Sequence, residues 1–313
     1  MTMEIITSLG QLHKFSAPCV IALGTFDGLH RGHLDVICAA KKEAKLTGAK
    51  LAVFTFSNHP LALISPDKVP VALVTAGEKQ QLLESLGVDV LIDIPFNQQL
   101  ADLSPEDFLK RLQQLAYSCL VVGENFTYGR RGQGTVYTLA ASAKAMGFKL
   151  IVRQLVSDDD TIISSTVIRA LINAGDVVRA GRLLGRAYRI SGTVAHGNER
   201  GRLLGYPTAN LELIETHVAV PQGGVYAVRV RIAEKIYGGM ANIGKNPTFG
   251  DVEKPRLETN IFNFSGDLYG KPLTIEFVER IRGEVKFVGI DALKAQLAQD
   301  KKACEQVLAQ AEG

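Results

Sequence analysis

Apolar residues in the first half of the chain fall into short continuous runs that alternate with segments of three- to four-residue periodicity. The continuous runs are typical of strands buried on both faces of a parallel sheet, and the periodic segments are typical of helices. Strands are predicted at residues 19–23, 51–56, 88–92, 120–123 and 149–152, and helices at residues 33–46, 78–86, 105–115 and 136–146. This alternation with short connections predicts an open parallel α/β sheet.

The pattern changes near Gly185. Apolar and polar residues then alternate over short segments separated by Gly and Pro, which indicates a small antiparallel barrel. The predicted strands are residues 188–194, 225–232, 258–264 and 273–278, with helical segments at residues 166–184 and 291–308. We therefore expect two domains, an α/β domain over residues 1–184 and an all-β barrel with a terminal helix over residues 185–313.

Composition narrows the classes of protein that the chain can be. A length of 313 residues suits two domains, and 46% hydrophobic residues exclude a mainly disordered chain. The net charge of +3 gives no basic block, so we expect no nucleic-acid partner and any phosphate recognition to be local. Four widely spaced cysteines argue against a zinc ribbon or a disulfide framework. Without a secretory signal at residues 1–12 or an apolar run of ~20 residues, the expected location is cytoplasmic, away from membranes.

A glycine-rich turn follows the first predicted strand and leads into a helix. Gly28 and Gly32 let the backbone approach a ligand, and the start of the helix favours an anion. His30 and His33, three residues apart, would point the same way and could donate hydrogen bonds to phosphate oxygens. Two structural histidines, or a zinc pair completed by Asp27, are the alternatives; the glycines favour an anion over a cation.

A second candidate for phosphate binding lies at the start of the joining helix. Ser164, Ser165 and Thr166 can cap that helix and bind phosphate oxygens, and Arg169 returns to the face of Thr166. An ordinary helix cap with a surface arginine is the alternative.

A third candidate is the glycine-rich stretch at residues 192–210. Its glycines could wrap phosphates in backbone N–H groups, and Pro207 stiffens its exit. Thr208 and Asn210 face one side of an extended segment, where a hydroxyl and an amide oxygen suit Mg²⁺. A plain glycine-rich hairpin is the alternative.

The first two candidates resemble the HxGH and ISSTxxR signatures of the nucleotidylyltransferase superfamily, which implies a Rossmann-like domain. The resemblance implies that His30, His33 and Arg169 are catalytic and that the ATP phosphates contact Gly24, Thr25, Phe26, Ser164, Ser165 and Thr166. Residues 56–60 and 123–129 resemble the flavin-lining stretches of the FAD synthetase module. They imply flavin contacts at His59, Pro60, Asn125 and Phe126, although Asn58 stands where a Pro is common and, by sequence alone, Phe126 and Tyr128 are typical of packing residues.

The third candidate resembles the flavokinase motif GxxxGxxLGxPTAN. It implies ATP contacts at Gly197, Gly201, Arg202, Gly205 and Pro207, and Mg²⁺ ligands at Thr208 and Asn210. Glu258 matches the family's general base for the riboflavin 5′-hydroxyl. Strand alternation would place Glu258 on the same face as Asn260, Phe262 and Phe264. The alternative is that Glu258 is an ordinary exposed glutamate of a strand. Asn260 and Asn263 depart from the His and Asp that are frequent in the family.

The chain as a whole resembles the bacterial bifunctional riboflavin kinase/FAD synthetases from about residue 17 to the terminal helix. The resemblance implies phosphorylation of riboflavin to FMN and adenylylation of FMN to FAD, with ATP and Mg²⁺ and with flavins as substrate and product. An FAD synthetase whose second domain only binds flavin is one alternative, and a non-catalytic flavin sensor or a regulator of flavin genes is another.

Overall fold

The chain divides into two compact units in the computed structural model, Met1–Ser165 and Thr166–Gly313. The structure describes residues 2–15, 17–196, 205–213, 217–245 and 255–311. The boundary expected after residue 184 lies two helices beyond this division, and it stays a prediction.

The first unit is built on a six-stranded parallel sheet in the order β1-β4-β3-β2-β5-β8. Its strands are β1 (Glu4–Ile6), β2 (Cys19–Leu23), β3 (Lys50–Phe56), β4 (Val90–Ile94), β5 (Tyr117–Gly123) and β8 (Lys149–Arg153). Two small antiparallel ribbons accompany it, β6 (Thr127–Tyr128) with β7 (Gly134–Thr135) and β9 (Ser157–Asp158) with β10 (Thr161–Ile162). The predicted parallel sheet is confirmed, and the edge strand β1, too short and half exposed to give an apolar run, was not predicted.

The helices of this unit are α1 (Arg31–Thr47), α2 (Leu61–Ile64), α3 (Ala76–Ser85), α4 (Gln98–Ala101), α5 (Pro105–Leu112) and α6 (Val136–Met146). The four predicted helices of this unit are present as α1, α3, α5 and α6, and two short helices, α2 and α4, were not predicted. Two hydrophobic clusters cover the two faces of the sheet, so that β2 sends Ile21 and Leu23 to one cluster and Val20 and Ala22 to the other. This explains why the strands read as continuous apolar runs.

The strand order reverses between β2 and β5. From β2 the chain moves to β3 on one side of the sheet, whereas β5 and β8 lie on the other side. Ligands of open α/β sheets bind at such a switch point, outside the carboxyl ends of the strands. The turn after β2, which carries the two histidines, therefore lies at the expected place for a site.

The second unit is a closed antiparallel barrel in the order β11-β12-β15-β14-β13-β16. Its strands are β11 (Tyr188–Ala195), β12 (Thr208–Leu213), β13 (Gly224–Ile232), β14 (Lys235–Lys245), β15 (Pro255–Ile261) and β16 (Pro272–Arg282). The predicted barrel is confirmed. Two of its strands were not predicted, because β12 follows directly on the glycine-rich stretch and Gly238 and Gly239 interrupt the apolar pattern of β14.

Among the described residues of this unit, three helices accompany the barrel: α7 (Ser165–Asn173), α8 (Val177–Leu184) and the terminal α9 (Ile290–Gln310). The α9 side chains Cys304 and Leu308 pack with Val225 and Met240 of the barrel. Asp300 is 2% exposed and receives a bidentate ion pair from Arg282, which ties the helix to β16.

All four cysteines are free thiols, three of them buried. Burial raises the pKa of Cys19 to about 12, which keeps that thiol protonated and unreactive at neutral pH. Within the described ranges, we find no helix with the length and apolar character that a bilayer crossing requires.

Candidate functional site

The turn after β2 is held in a conformation that its residues would not adopt by themselves. Phe26 and Leu29 have left-handed φ angles of 47° and 45°, and Gly28 has a φ of 79°. Both non-glycine residues are 1% exposed, so burial of their side chains fixes the turn. Strained backbone of this kind is concentrated at functional sites, where the surrounding structure over-determines it.

The two histidines stack on each other at the start of α1. Their ring centroids are 3.6 Å apart and the ring planes differ by 19°. His30 is the N-cap of the helix, and its Nδ1 accepts a hydrogen bond of 3.4 Å from the backbone N–H of His33. When neutral, His30 therefore carries its proton on Nε2, where it can be donated. The helix begins two residues earlier than predicted, which places both rings at its first turn.

Burial, and secondly the charge of His30, hold the pKa of His33 well below 6.5, so this ring is neutral at neutral pH. Its Nδ1 is buried and makes no hydrogen bond to any described residue. Such an atom costs about 1–3 kcal/mol and calls for an explanation in a native fold. A purely structural histidine would leave this cost unexplained, which favours a functional interpretation.

One residue of the second candidate segment, Ser165, contacts this turn within the first unit. Ser165 donates a hydrogen bond of 2.9 Å from its Oγ to the Asp27 carbonyl oxygen. The Asp27 carboxylate accepts the Leu73 backbone N–H at 3.2 Å. In the zinc alternative, Asp27 and the two histidines would together bind the metal ion. Across the described residues, no group of three His, Cys, Asp or Glu side chains is placed to hold a metal ion.

Thr166 and Arg169 belong to the second compact unit and both lie on α7, within its first five residues. Thr166 is exposed and Arg169 is half-buried. Their three-residue spacing puts them on one face of the helix, as the sequence predicted.

The first predicted flavin-lining stretch follows β3. His59 Nδ1 accepts the Leu61 backbone N–H at 3.1 Å, and Pro60 precedes α2. Asn58, the departure from the family pattern, clamps Phe96: its amide donates to the Phe96 carbonyl at 3.1 Å, and its Oδ1 accepts the Phe96 N–H at 2.6 Å. This substitution therefore ties together the segments that follow β3 and β4.

The second flavin-lining stretch follows β5. Asn125 is exposed, and Phe126 is half-buried and packs against the core. Tyr128 is 6% exposed inside that core, so the packing interpretation is correct for Tyr128. The rings of Phe126 and Tyr128 stack at 5.9 Å.

The barrel places the third group of candidates on neighbouring strands. Thr208 and Asn210 lie on β12, and Asn210 is directly opposite Glu258 of β15. Gly205 and Pro207 precede β12 and are exposed. The predicted ATP contacts at Gly197, Gly201 and Arg202 lie outside the described residues.

An arginine that sequence reasoning missed connects the predicted metal ligand to the predicted base. Arg256 Nε is 2.7 Å from Glu258 Oε1. The same guanidinium donates two hydrogen bonds to Asn210 Oδ1, of 3.1 Å from Nε and 2.8 Å from Nη2. A possible signal was its position two residues before Glu258, on the same face of a strand.

The two departures in this domain have structural roles. Asn260 is 7% exposed, and its amide donates a hydrogen bond of 2.7 Å to the Pro207 carbonyl, next to Thr208. Asn263 has a left-handed φ of 54°, which Asn tolerates better than most residues. Its turn ends β15 at Ile261, so the strand predicted to continue to residue 264 is wrong there.

An open pocket of about 460 Å³ lies beside this strand end. It is lined by Gly205, Tyr206, Pro207, Asn260, Ile261, Phe262, Asn263, Phe264, Ser265 and Lys301. Aromatic residues therefore lie at the end of β15, whereas the prediction placed them beside Glu258 on one strand face. Glu258 does not line the pocket, because the turn at Asn263 takes Phe262 and Phe264 out of the strand alternation.

A buried ion pair in the first unit was also not predicted. Lys79 and Asp93 are 8% and 6% exposed, with 3.4 Å between Nζ and Oδ1. Lys79 also donates to the carbonyl of Phe56, the last residue of β3. No local pattern indicates this pair, since α3 and β4 meet only in the tertiary structure.

Comparisons with known proteins agree on both units. A family model described as FAD synthetase matches residues 12–167, and one described as riboflavin kinase matches residues 184–308. The bifunctional riboflavin kinase/FMN adenylyltransferase of Bacillus subtilis is 42% identical over 91% of this chain and 91% of its own length. The Haemophilus influenzae protein of the same name is 36% identical, over 95% and 97%.

Similar proteins have also been solved. A Streptococcus pneumoniae chain described as a macrolide-efflux protein has a TM-score of 0.90 and 34% sequence identity, over 97% of this chain and 99% of its own. That description is of the Streptococcus pneumoniae chain. For the present chain, the two family models and the curated relatives indicate FAD synthetase and riboflavin kinase chemistry.

Proposed function

The chain belongs to the bifunctional riboflavin kinase/FMN adenylyltransferases, and from this premise we propose which residues perform each of its two reactions. It contains both an FAD synthetase domain and a riboflavin kinase domain. It is an enzyme of flavin cofactor synthesis, which phosphorylates riboflavin to FMN with ATP and adenylylates FMN to FAD with release of pyrophosphate. Its substrates are the small molecules riboflavin, FMN and ATP.

For adenylylation, we assign the ATP phosphates to the turn after β2. A phosphate oxygen of FMN attacks the α-phosphorus of ATP, and the bond from that phosphorus to the bridging oxygen breaks as pyrophosphate leaves. His30 and His33 donate hydrogen bonds to the α-phosphate as charge develops in the transition state. Gly24, Thr25 and Phe26 line the phosphates, and Ser164, Ser165, Thr166 and Arg169 bind the departing pyrophosphate. The observation that carries this assignment is the stacked pair of imidazoles at a helix N-terminus.

We assign the FMN side of this reaction to the two stretches that follow β3 and β5. His59, Pro60, Asn125 and Phe126 contact the flavin. Two features support the assignment: β3 and β5 both flank β2, and their carboxyl ends open on the same edge of the sheet as the histidine turn.

For the kinase reaction, we assign the general base to Glu258. The riboflavin 5′-hydroxyl attacks the γ-phosphorus of ATP, its proton passes to the Glu258 carboxylate, and ADP leaves. Gly197, Gly201, Arg202, Gly205 and Pro207 line the ATP. The pocket beside the end of β15 would hold the flavin ring, since the half-buried aromatic residues Tyr206 and Phe264 line it.

The residues on β12 fit a magnesium ion. The Thr208 hydroxyl and the Asn210 amide oxygen are neutral oxygen donors two residues apart, with the Glu258 carboxylate opposite Asn210. Such a set suits Mg²⁺ that keeps water and phosphate ligands, and we assign the metal to Thr208 and Asn210. Mg²⁺ would supply neutralisation of the charge on the ATP phosphates.

The expected cytoplasmic location also stays a proposal, supported by four cysteines that are all free thiols.

Variants of the two chemical centres test the two-site assignment. We expect His30→Ala to lower FAD formation from supplied FMN by about 10²-fold or more, because a transition-state hydrogen-bond donor is lost. FMN formation from riboflavin should stay near normal. Glu258→Ala should do the reverse. Products formed from riboflavin or FMN with ATP and Mg²⁺ are measured chromatographically.

Loss of both activities from either folded variant would contradict the assignment of separate sites. A wild-type protein that makes FAD from FMN but no FMN from riboflavin would show that the barrel only binds flavin.

A further inference from the structure

In the proposed function, Mg²⁺ binds Thr208 and Asn210 at the kinase site, and the inference below rests on that assignment. Asn210 Oδ1, the oxygen that we assign to Mg²⁺, already accepts two N–H groups of the Arg256 guanidinium at 2.8 and 3.1 Å. An amide oxygen has two lone pairs, and both are directed to this one cation. A metal ion cannot share that oxygen with a bidentate guanidinium.

Charge makes the two occupants incompatible as well. A guanidinium and a divalent ion within about 5 Å repel each other, even at the dielectric constant of water, by an amount equivalent to roughly a tenfold change in affinity. The site is half-buried, since the Arg256 and Glu258 side chains are 29% and 27% exposed. Screening by water is therefore less than at a fully exposed pair.

Arg256 has a second partner that it can keep. Its Nε lies 2.7 Å from Glu258 Oε1. When the guanidinium leaves Asn210, this ion pair still satisfies its charge. The hydrogen bonds from Arg256 to Asn210 therefore compete with the metal, whereas the ion pair of Arg256 with Glu258 does not occupy a proposed metal ligand.

We propose that Arg256 competes with Mg²⁺ for Asn210 Oδ1, so that binding of the metal with nucleotide requires the guanidinium to move off this oxygen. Arg256 thereby sets the metal affinity of the kinase site through the position of Asn210. Toward the metal it is a positioning residue, because it acts through the Asn210 amide oxygen and binds neither the metal nor the substrate.

The test is direct binding of Mn²⁺, as a probe for the metal site, to the full chain in the presence of ADP, measured from the free Mn²⁺ electron-paramagnetic-resonance signal. We expect Arg256→Met to lower the half-saturating Mn²⁺ concentration about three- to tenfold. Arg256→Gln, the second neutral variant, should act in the same direction. Arg256→Lys keeps the charge and should stay near wild type.

Arg231→Met is the matched control, because it removes one positive charge from an exposed pair with Glu276 on the same barrel. It should leave Mn²⁺ binding unchanged. FAD formation from supplied FMN and an unchanged thermal transition verify that each variant is folded. Equal or weaker Mn²⁺ binding in the neutral Arg256 variants would overturn the proposal.

Asn210→Ala separates this proposal from the proposed function. If Asn210→Ala removes one bound Mn²⁺ while the neutral Arg256 variants bind it like wild type, the metal assignment stands and the competition is wrong. If Asn210→Ala removes none, the metal assignment fails and the competition fails with it.

Discussion

Single residues at the histidine turn show how little space the first site leaves. Gly32 is the second residue of α1, and a methyl group there would lie 3.2 Å from Cε1 and 3.3 Å from Nδ1 of His30. That is closer than ordinary van der Waals contact, so the ring would have to shift by a few tenths of an ångström. A side chain at this position would therefore displace the neighbouring ring.

We expect Gly32→Ala to lower FAD formation about tenfold, because small displacements of a catalytic group are costly. FMN formation should not change. The measurement is the rate of each reaction with its own flavin substrate.

Gly77→Ala is a matched control, since Gly77 is also the second residue of a helix but has nothing within 4 Å of an added methyl group. It should leave both rates intact and stabilise α3 by about 0.5–1 kcal/mol. Equal rate losses in the two variants would show that helix propensity, and not the contact with His30, causes the effect.

At the scale of elements, the terminal helix is attached to the barrel by charge as well as by apolar packing. The Asp300 carboxylate is nearly fully buried and accepts hydrogen bonds from Nε and Nη2 of Arg282. Breaking a buried pair leaves one charge without a partner, and that is far more costly than losing an exposed pair. This ion pair holds α9, whose Lys301 lines the aromatic pocket.

We expect Asp300→Asn to lower the free energy of unfolding of the barrel by about 3 kcal/mol. The measurement is chemical denaturation followed by circular dichroism, together with FMN formation at each denaturant concentration.

The control on the same helix is Glu305→Gln, which removes an exposed pair with Lys301 at 3.8 Å. Its cost should stay within about 0.5 kcal/mol. A comparable loss in both variants would mean that the Arg282–Asp300 pair contributes no more than a surface charge.

At the scale of the whole molecule, the histidine pair and the proposed kinase base belong to different compact units. The histidine pair lies in residues 1–165, and Glu258 lies in residues 166–313. The product of one reaction is the substrate of the other, so the reactions are linked by FMN. Nothing in either centre requires a residue that we assign to the other.

A mixture of the His30→Ala and Glu258→Ala proteins should therefore convert riboflavin to FAD. The first protein makes FMN and the second uses it, with FMN accumulating before FAD in a time course followed chromatographically. Each protein incubated without the other gives the control. If the mixture makes FMN but no FAD, while the Glu258→Ala protein accepts added FMN, the two centres must act within one chain.

Local patterns in the sequence were sufficient for much of this protein. Continuous apolar runs predicted five of the six strands of the parallel sheet, because burial on both faces favours apolar side chains. Residues 19–23 and 136–146 were predicted with the bounds that the structure gives. The histidine pair could be foreseen because its three-residue spacing is local to one helical turn.

The tertiary structure decided what depends on residues far apart in the chain. β14 is interrupted by glycines and becomes a strand because β13 and β15 pair with it on both sides. Asn210 and Arg256 are 46 residues apart, and only the pairing of β12 with β15 brings the guanidinium to the amide oxygen. A sequence pattern records which face of an element is apolar, whereas the partner of a polar side chain is chosen by the pairing of strands.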